Sequence, residues 1–174
     1  VVESLAKLVA AGVDYKTARL SFQEYFEKLG KDAYKWSKPF LAWLGAMKVQ
    51  KDFDVAAIGG KDSMSGTFND ISVPPTLISF AVSPVNVHDV ISTEFKKAKN
   101  KLYLVENKID EKDFLFNSEE LKENFEFVLK NIKDKKIVSA MVIKMGGLAE
   151  ALSKMSFGNR LGFDIDNKEV DFFS

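Results

Sequence analysis

The first fifty residues repeat apolar positions at helical spacing. Val1, Val2, Leu5, Leu8 and Val9 share one side of a helix, and Gly12 is a natural stop. Asp14 or Thr17 is placed to cap a second helix carrying Leu20, Phe22, Tyr25, Phe26 and Leu29, which stops at Gly30. A third helix is predicted from Lys31 to Val49. Trp36, Phe40, Trp43, Leu44 and Met47 lie on its apolar side, and amphipathic helices bury such stripes in a core. Pro39 falls inside that pattern and predicts a kink or restart near Ser37.

The pattern then changes to short apolar runs bounded by turn residues. Asp54 to Ile58 reads as a buried strand, Asn69 to Pro75 as loop, and Thr76 to Val82 as the strongest strand in the chain. Lys101 to Val105, Ile137 to Ile143 and Gly162 to Asp166 read as further strands. Between them, Ser118 followed by Glu119 and Glu120 marks the start of a helix reaching Lys133, with Leu121, Phe125, Val128 and Leu129 on its buried face. Gly146-Gly147 opens a helix from Leu148 to Phe157, and Gly158-Asn159 closes it. Helices and strands together predict an α/β chain of the α+β kind. A boundary between Val85 and Thr93 separates residues 1–88 from 89–174.

Composition narrows the classes. The 174 residues are 46% hydrophobic and include 15 Phe, enough for a packed core. Lys plus Arg equals Asp plus Glu at 25 each, without the basic stripe of a nucleic-acid binder. No apolar run approaches the ~20 residues that span a bilayer. Cysteine is absent, which excludes disulfides and a cysteine nucleophile and is compatible with a cytoplasmic protein. The chain starts at Val1 within a helical pattern and ends at Ser174 without cap or turn chemistry, as expected of an internal piece of a longer protein. The lone His88 beside a strand end reads as a surface residue.

The densest chemistry follows the run Val55-Ala-Ala-Ile58. Gly59 and Gly60 predict a turn whose backbone N–H groups face an oxyanion. Lys61 offers a point charge for phosphate, Asp62 an oxygen ligand for a hard metal, and Ser63 and Ser65 neutral hydrogen bonds. Along an extended backbone Lys61 and Asp62 point to opposite sides. From residue types alone, a solvated turn without a ligand stays open beside a phosphate site.

The segments Trp43-Leu-Gly-Ala-Met47, Ala57-Ile-Gly-Gly-Lys-Asp-Ser-Met-Ser-Gly-Thr-Phe68 and Val73-Pro-Pro-Thr-Leu77 resemble phosphoribosylformylglycinamidine synthase, the purine-pathway amidotransferase. The resemblance covers about Tyr15 to Val85, includes Phe22-Gln-Glu-Tyr-Phe26, and returns more weakly at Met145 to Phe157. It implies an AIR-synthase-like fold, with residues 1–88 ending an N-terminal-type domain and 89–174 starting a C-terminal-type one. It also implies part of a cytoplasmic ligase that uses ATP and Mg²⁺. That ligase phosphorylates the amide oxygen of formylglycinamide ribonucleotide, and ammonia from a glutaminase domain then displaces the phosphate. By that resemblance Gly59, Gly60 and Lys61 lie near nucleotide phosphate, Asp62 near Mg²⁺, and Ser63 and Ser65 near substrate. A non-catalytic nucleotide-binding half of the same enzyme is the alternative, and another ATP-dependent enzyme of that fold ranks below it. The glutaminase needs a cysteine, so this chain alone is expected to lack ligase activity. Surfaces meant for the missing domains predict self-association.

One stretch departs from the family. Relatives often carry Asp-x-Ser-Asp-Gly-Gly where a later strand meets its helix; here it is Val142-Ile-Lys-Met-Gly-Gly147, without either acid. Gly146 and Gly147 at a helix start still suit an anion, or serve only close packing.

Overall fold

The computed structural model describes residues 1–165 and 171–173. Asp166, the end of the last expected strand, lies outside the described residues, as do Val170 and Ser174 at the chain's end. The fold is α+β and separates into two compact units. The first comprises Val1–Leu5 and Tyr15–Pro84; the second comprises Ala6–Asp14 and the described residues from Val85 onward.

The first unit is built on a three-stranded sheet. Its strands are β1 (Arg19–Tyr25), β2 (Ala57–Ser63) and β5 (Thr76–Val82), in the order β2-β1-β5. The central strand β1 runs parallel to β2 and antiparallel to β5. This corrects the second helix expected through Leu20 to Leu29. The apolar set there satisfies a loose helical spacing, but Leu20, Phe22 and Glu24 also alternate with Ser21, Gln23 and Tyr25. Pairing with two distant strands decides for the period of two. Leu20 and Phe26 are almost fully buried, and the Tyr15 and Phe53 rings meet edge-on with centroids 5.7 Å apart.

Helices cover one face of this sheet. Helix α1 (Val2–Ala10) brings Ser4 Oγ to 2.7 Å from Ser79 Oγ, and Ser79 lies opposite Phe22. Helix α2 (Ala33–Phe53) starts at Asp32, whose side chain accepts from the Tyr34 N–H, and ends at Asp54 in the left-handed region at φ 52°. The helix continues through Pro39, so the restart expected at Ser37 does not occur. The face of α2 that packs inward is Pro39, Ala46, Val49 and Phe53. Trp36, Phe40, Trp43, Leu44 and Met47, expected in the core, are exposed. The helix is apolar on two adjoining sides: one packs on the sheet, the other is exposed, and Trp43 at their border reaches Glu24 with its Nε1.

Strand β2 begins at Ala57 and runs through the glycines to Ser63, later than the strand expected to end at Ile58. The Gly59-Gly60 turn is therefore corrected to extended backbone. The chain turns only after Ser63, where Gly66 N–H donates to Phe26 O at 2.9 Å and Val73 N–H to Gly66 O at 2.7 Å. Two short strands pair here: β3 (Thr67–Phe68), and β4 (Ile71–Ser72) within the stretch Asn69 to Pro75 expected to be loop.

In the second unit, helix α3 (Ser118–Lys133) is capped by Asn117, one residue earlier than the expected Ser118. Its Oδ1 accepts from the Glu119 and Glu120 N–H groups. Helix α4 (Gly147–Phe157) packs Leu152 and Met155 against Phe95. Gly158 after it is right-handed, and the left-handed residue is Arg160 at φ 54°. Residues 101–105, 137–143 and 162–165, expected as strands, are irregular. Apolar alternation makes a strand only when another strand lies alongside, and among the described residues none pairs with them.

Candidate functional site

The site residues sit on β2, at the edge of the three-stranded sheet, and register with β1 assigns each to a face. Gly59 lies opposite Ser21, Lys61 opposite Gln23 and Ser63 opposite Tyr25, all on the face that no helix covers. Gly60 lies opposite Phe22 and Asp62 opposite Glu24, on the helix-covered face. Lys61 and Asp62 thus point apart, as extended backbone requires. Lys61 Nζ stands 5.0 Å from the centroid of the Tyr25 ring, a cation–π contact that orients the ammonium over β1.

The two glycines differ in what surrounds them. A Cβ on Gly60 would lie 2.4 Å from the Phe22 carbonyl oxygen, so the fold itself requires glycine there. A Cβ on Gly59 would meet nothing within 4 Å. Ser63 is half-buried and its carbonyl accepts from the Phe26 N–H at 2.8 Å, while Ser65 is exposed. The extended backbone directs successive N–H groups to alternate sides, so these residues do not form a turn-type nest.

Sequence reasoning passed over Glu24. It is 5% exposed, and its Oε2 accepts from Trp43 Nε1 at 2.7 Å. Burial pushes the Glu24 carboxyl above its ordinary value of 4.5; the Trp43 hydrogen bond opposes this, and the neighbouring Asp62 charge adds to the rise. The signal was available: an acid at the same parity as Leu20 and Phe22 in an otherwise apolar run. Since the folded state holds this proton more tightly than the unfolded chain, stability declines as pH rises from 4.5 through the folded-state value. Glu24→Gln, which keeps an acceptor for Trp43, is expected to flatten that decline and raise stability at neutral pH. Urea titrations of both proteins across that range check it; parallel pH dependences would refute the assignment.

Among the described residues no group of three or more His, Asp or Glu is placed to hold a metal ion. None of their helices is long and apolar enough to cross a membrane. His88 is exposed, in a single 3₁₀ turn, Val87–Asp89, capped by Asn86.

At the altered stretch, the start of α4 is satisfied by the chain itself. The Gly147 N–H donates to Lys144 O at 2.8 Å and the Ala149 N–H to Phe172 O at 2.9 Å. Gly147 has φ +65°, and a Cβ there would lie 2.5 Å from Phe172 O. Of the two readings of Gly146-Gly147, this geometry favours close packing over an anion.

The chain is 29% identical over 139 residues to phosphoribosylformylglycinamidine synthase subunit PurL of Lacticaseibacillus paracasei, and equally to that of Lacticaseibacillus casei. The chain is similar to that synthase. Each alignment covers 70% of this chain and 19% of the relative, so the chain spans about a fifth of the length of these proteins. No family profile matches the chain. No solved structure matches it either.

Proposed function

We propose that this chain is part of an ATP-dependent carbon–nitrogen ligase of purine biosynthesis, acting on formylglycinamide ribonucleotide, with an AIR-synthase-like architecture divided near residue 88. The similarity to PurL supports the pathway and the enzyme class. The observation that carries the site is the open face of β2. Gly59 has no packing reason to be glycine, and it shares that face with Lys61 and Ser63. A phosphate approaching there meets bare backbone at Gly59, the Lys61 ammonium and the Ser63 hydroxyl, which suits an oxyanion. Phosphoryl transfer gains mostly from such positioning and charge neutralisation.

The residues fit Mg²⁺ in one mode. Mg²⁺ typically takes one or two carboxylates and completes its shell with phosphate oxygens and water. The exposed Asp62 supplies one, reached from the free edge of β2. Bound Mg²⁺ would neutralise phosphate charge; Lys61, Gly59, Ser63 and Ser65 would hold and orient the phosphate and substrate. Gly60 serves by keeping β2 close to β1. Ammonia supply belongs to a glutaminase that this cysteine-free chain does not contain. The non-catalytic reading keeps one specific support: Val142–Met145 has no acid, and Phe172 occupies the α4 start.

Titration of the chain with ATP and Mg²⁺, followed by amide NMR, tests this. Shifts are expected at Gly59, Lys61 and Ser63, and Lys61→Ala is expected to weaken binding about tenfold or more. Gly59→Ala should weaken binding while leaving the melting temperature unchanged. Unperturbed amides at millimolar nucleotide would sink the proposal. A bound nucleotide whose affinity ignores Lys61 would move the site elsewhere.

A further inference from the structure

We propose that the exposed apolar face of α2 is a self-association surface on which a second copy of this chain packs its own α2 antiparallel. The stripe consists of Trp36, 53% exposed, Phe40, 58%, Trp43, 57%, Leu44, 47%, and Met47, 54%. Their spacing of four, three, one and three residues keeps them on one side of the helix, the ridge pattern that packs helix against helix. The adjoining side, through Pro39, Ala46, Val49 and Phe53, is already buried, and Trp43 at the border donates its Nε1–H to Glu24. A helix that is apolar on both sides is one that is covered on both sides.

Area favours a second copy over a minor contact. Buried aromatic side chains cover ~150–250 Å² each. With about half of that exposed, the five residues present on the order of 500 Å² of apolar surface, at the upper end of what monomers leave open. Leu41 and Tyr34, 62% and 73% exposed, extend it at the stripe's edge. The total approaches the ~800 Å² a side of a standard interface. The helix dipoles favour the antiparallel arrangement. Reversing one copy sets the N-terminus of each helix beside the C-terminus of the other, so the two dipoles oppose. A two-fold axis near Ala42 pairs Phe40 with Leu44 and Trp36 with Lys48 or Met47.

Both tryptophans of the chain lie on this stripe, so their emission reports its cover directly. Sedimentation from micromolar to near-millimolar chain is expected to show a species of twice the 19.5 kDa chain mass. Tryptophan emission should shift to the blue over the same range. Phe40→Glu is expected to weaken association at least about thirtyfold, the effect of losing an interface hot spot. Met47→Lys should do the same, and because both positions face solvent in the monomer, circular dichroism should be unchanged. A monomer throughout the range, or association that survives both substitutions, would overturn the proposal.

Discussion

Gly60→Val is expected to cost the first unit about 2–4 kcal/mol, whereas Gly59→Ala one residue away costs less than about 1 kcal/mol. The difference follows from the two surroundings. At Gly60 the nearest atom to a new Cβ is the Phe22 carbonyl oxygen at 2.4 Å, followed by the Phe22 carbonyl carbon and nitrogen at 3.3 and 3.4 Å. These are backbone atoms of the central strand, so no rotamer change relieves the clash. Relief requires β2 to move off β1, at the expense of the register that carries Gln23 opposite Lys61 and Glu24 opposite Asp62. At Gly59 a methyl group enters open space. Urea unfolding followed by tryptophan emission reads this unit, because Trp36 and Trp43 both belong to α2. Equal losses for the two variants would show that the β1–β2 approach is not the constraint. The pair also divides the glycine motif by role, with Gly60 answering to the fold and Gly59 to the ligand proposed for the open face.

The parts of this molecule legible in its sequence are those whose structure is decided locally. Thr76–Val82 is a strand in both, since its β-branched and aromatic residues lie between Pro75 and Pro84. Helix α3 differs in its capping residue and in its buried face, where Ile132 joins Phe125, and Leu121, Val128 and Leu129 are half-buried; α1 and α4 follow their apolar spacing. The misread elements depend on partners far along the chain. Nothing near Leu20–Tyr25 announces that Ala57–Ser63 and Thr76–Val82 will flank it, so a helical spacing there was equally acceptable. The runs at 101–105 and 137–143 show the converse, having strand composition and no strand beside them. Helix α2 was found, but its faces were reversed. Large aromatics outweigh Ala46 and Val49 in any hydrophobic count, whereas the side that packs is set by fit to the sheet, where Ala46 and Val49 lie beside Pro39 and Phe53. At the candidate site, the types of Lys61, Asp62 and Ser63 and their alternation were readable. Their faces, and the pairing of Glu24 with Asp62, needed the register.

Gly147→Ala is expected to destabilise the second unit by about 3 kcal/mol, and Gly146→Ala by less, because only Gly147 combines a clash with a left-handed backbone. Gly147 sits at φ +65°, where a Cβ is strained before any neighbour is considered. That Cβ would also lie 2.5 Å from Phe172 O and 2.8 Å from Phe173 Cα. Displacing this segment breaks the Ala149 N–H bond to Phe172 O and pulls Phe172 away from the Phe95, Leu152 and Met155 cluster. At Gly146 a methyl group would meet the Glu150 carboxylate, which can rotate aside, and the Glu150 Cβ at 2.5 Å, which the α4 backbone holds in place; only the backbone angle, φ −83°, accepts any residue. Hydrogen exchange of the α4 amides under native conditions reads the effect, because this unit contains no tryptophan. Faster exchange in Gly147→Ala than in Gly146→Ala is the expected order. The reverse order, with nucleotide titration perturbing Gly146, would mean that the α4 start holds an anion and that the Phe172 carbonyl gives way to it. Retention of slow exchange in both variants would remove close packing as the reason for the glycine pair. The expected order instead makes the pair a packing device at the start of α4.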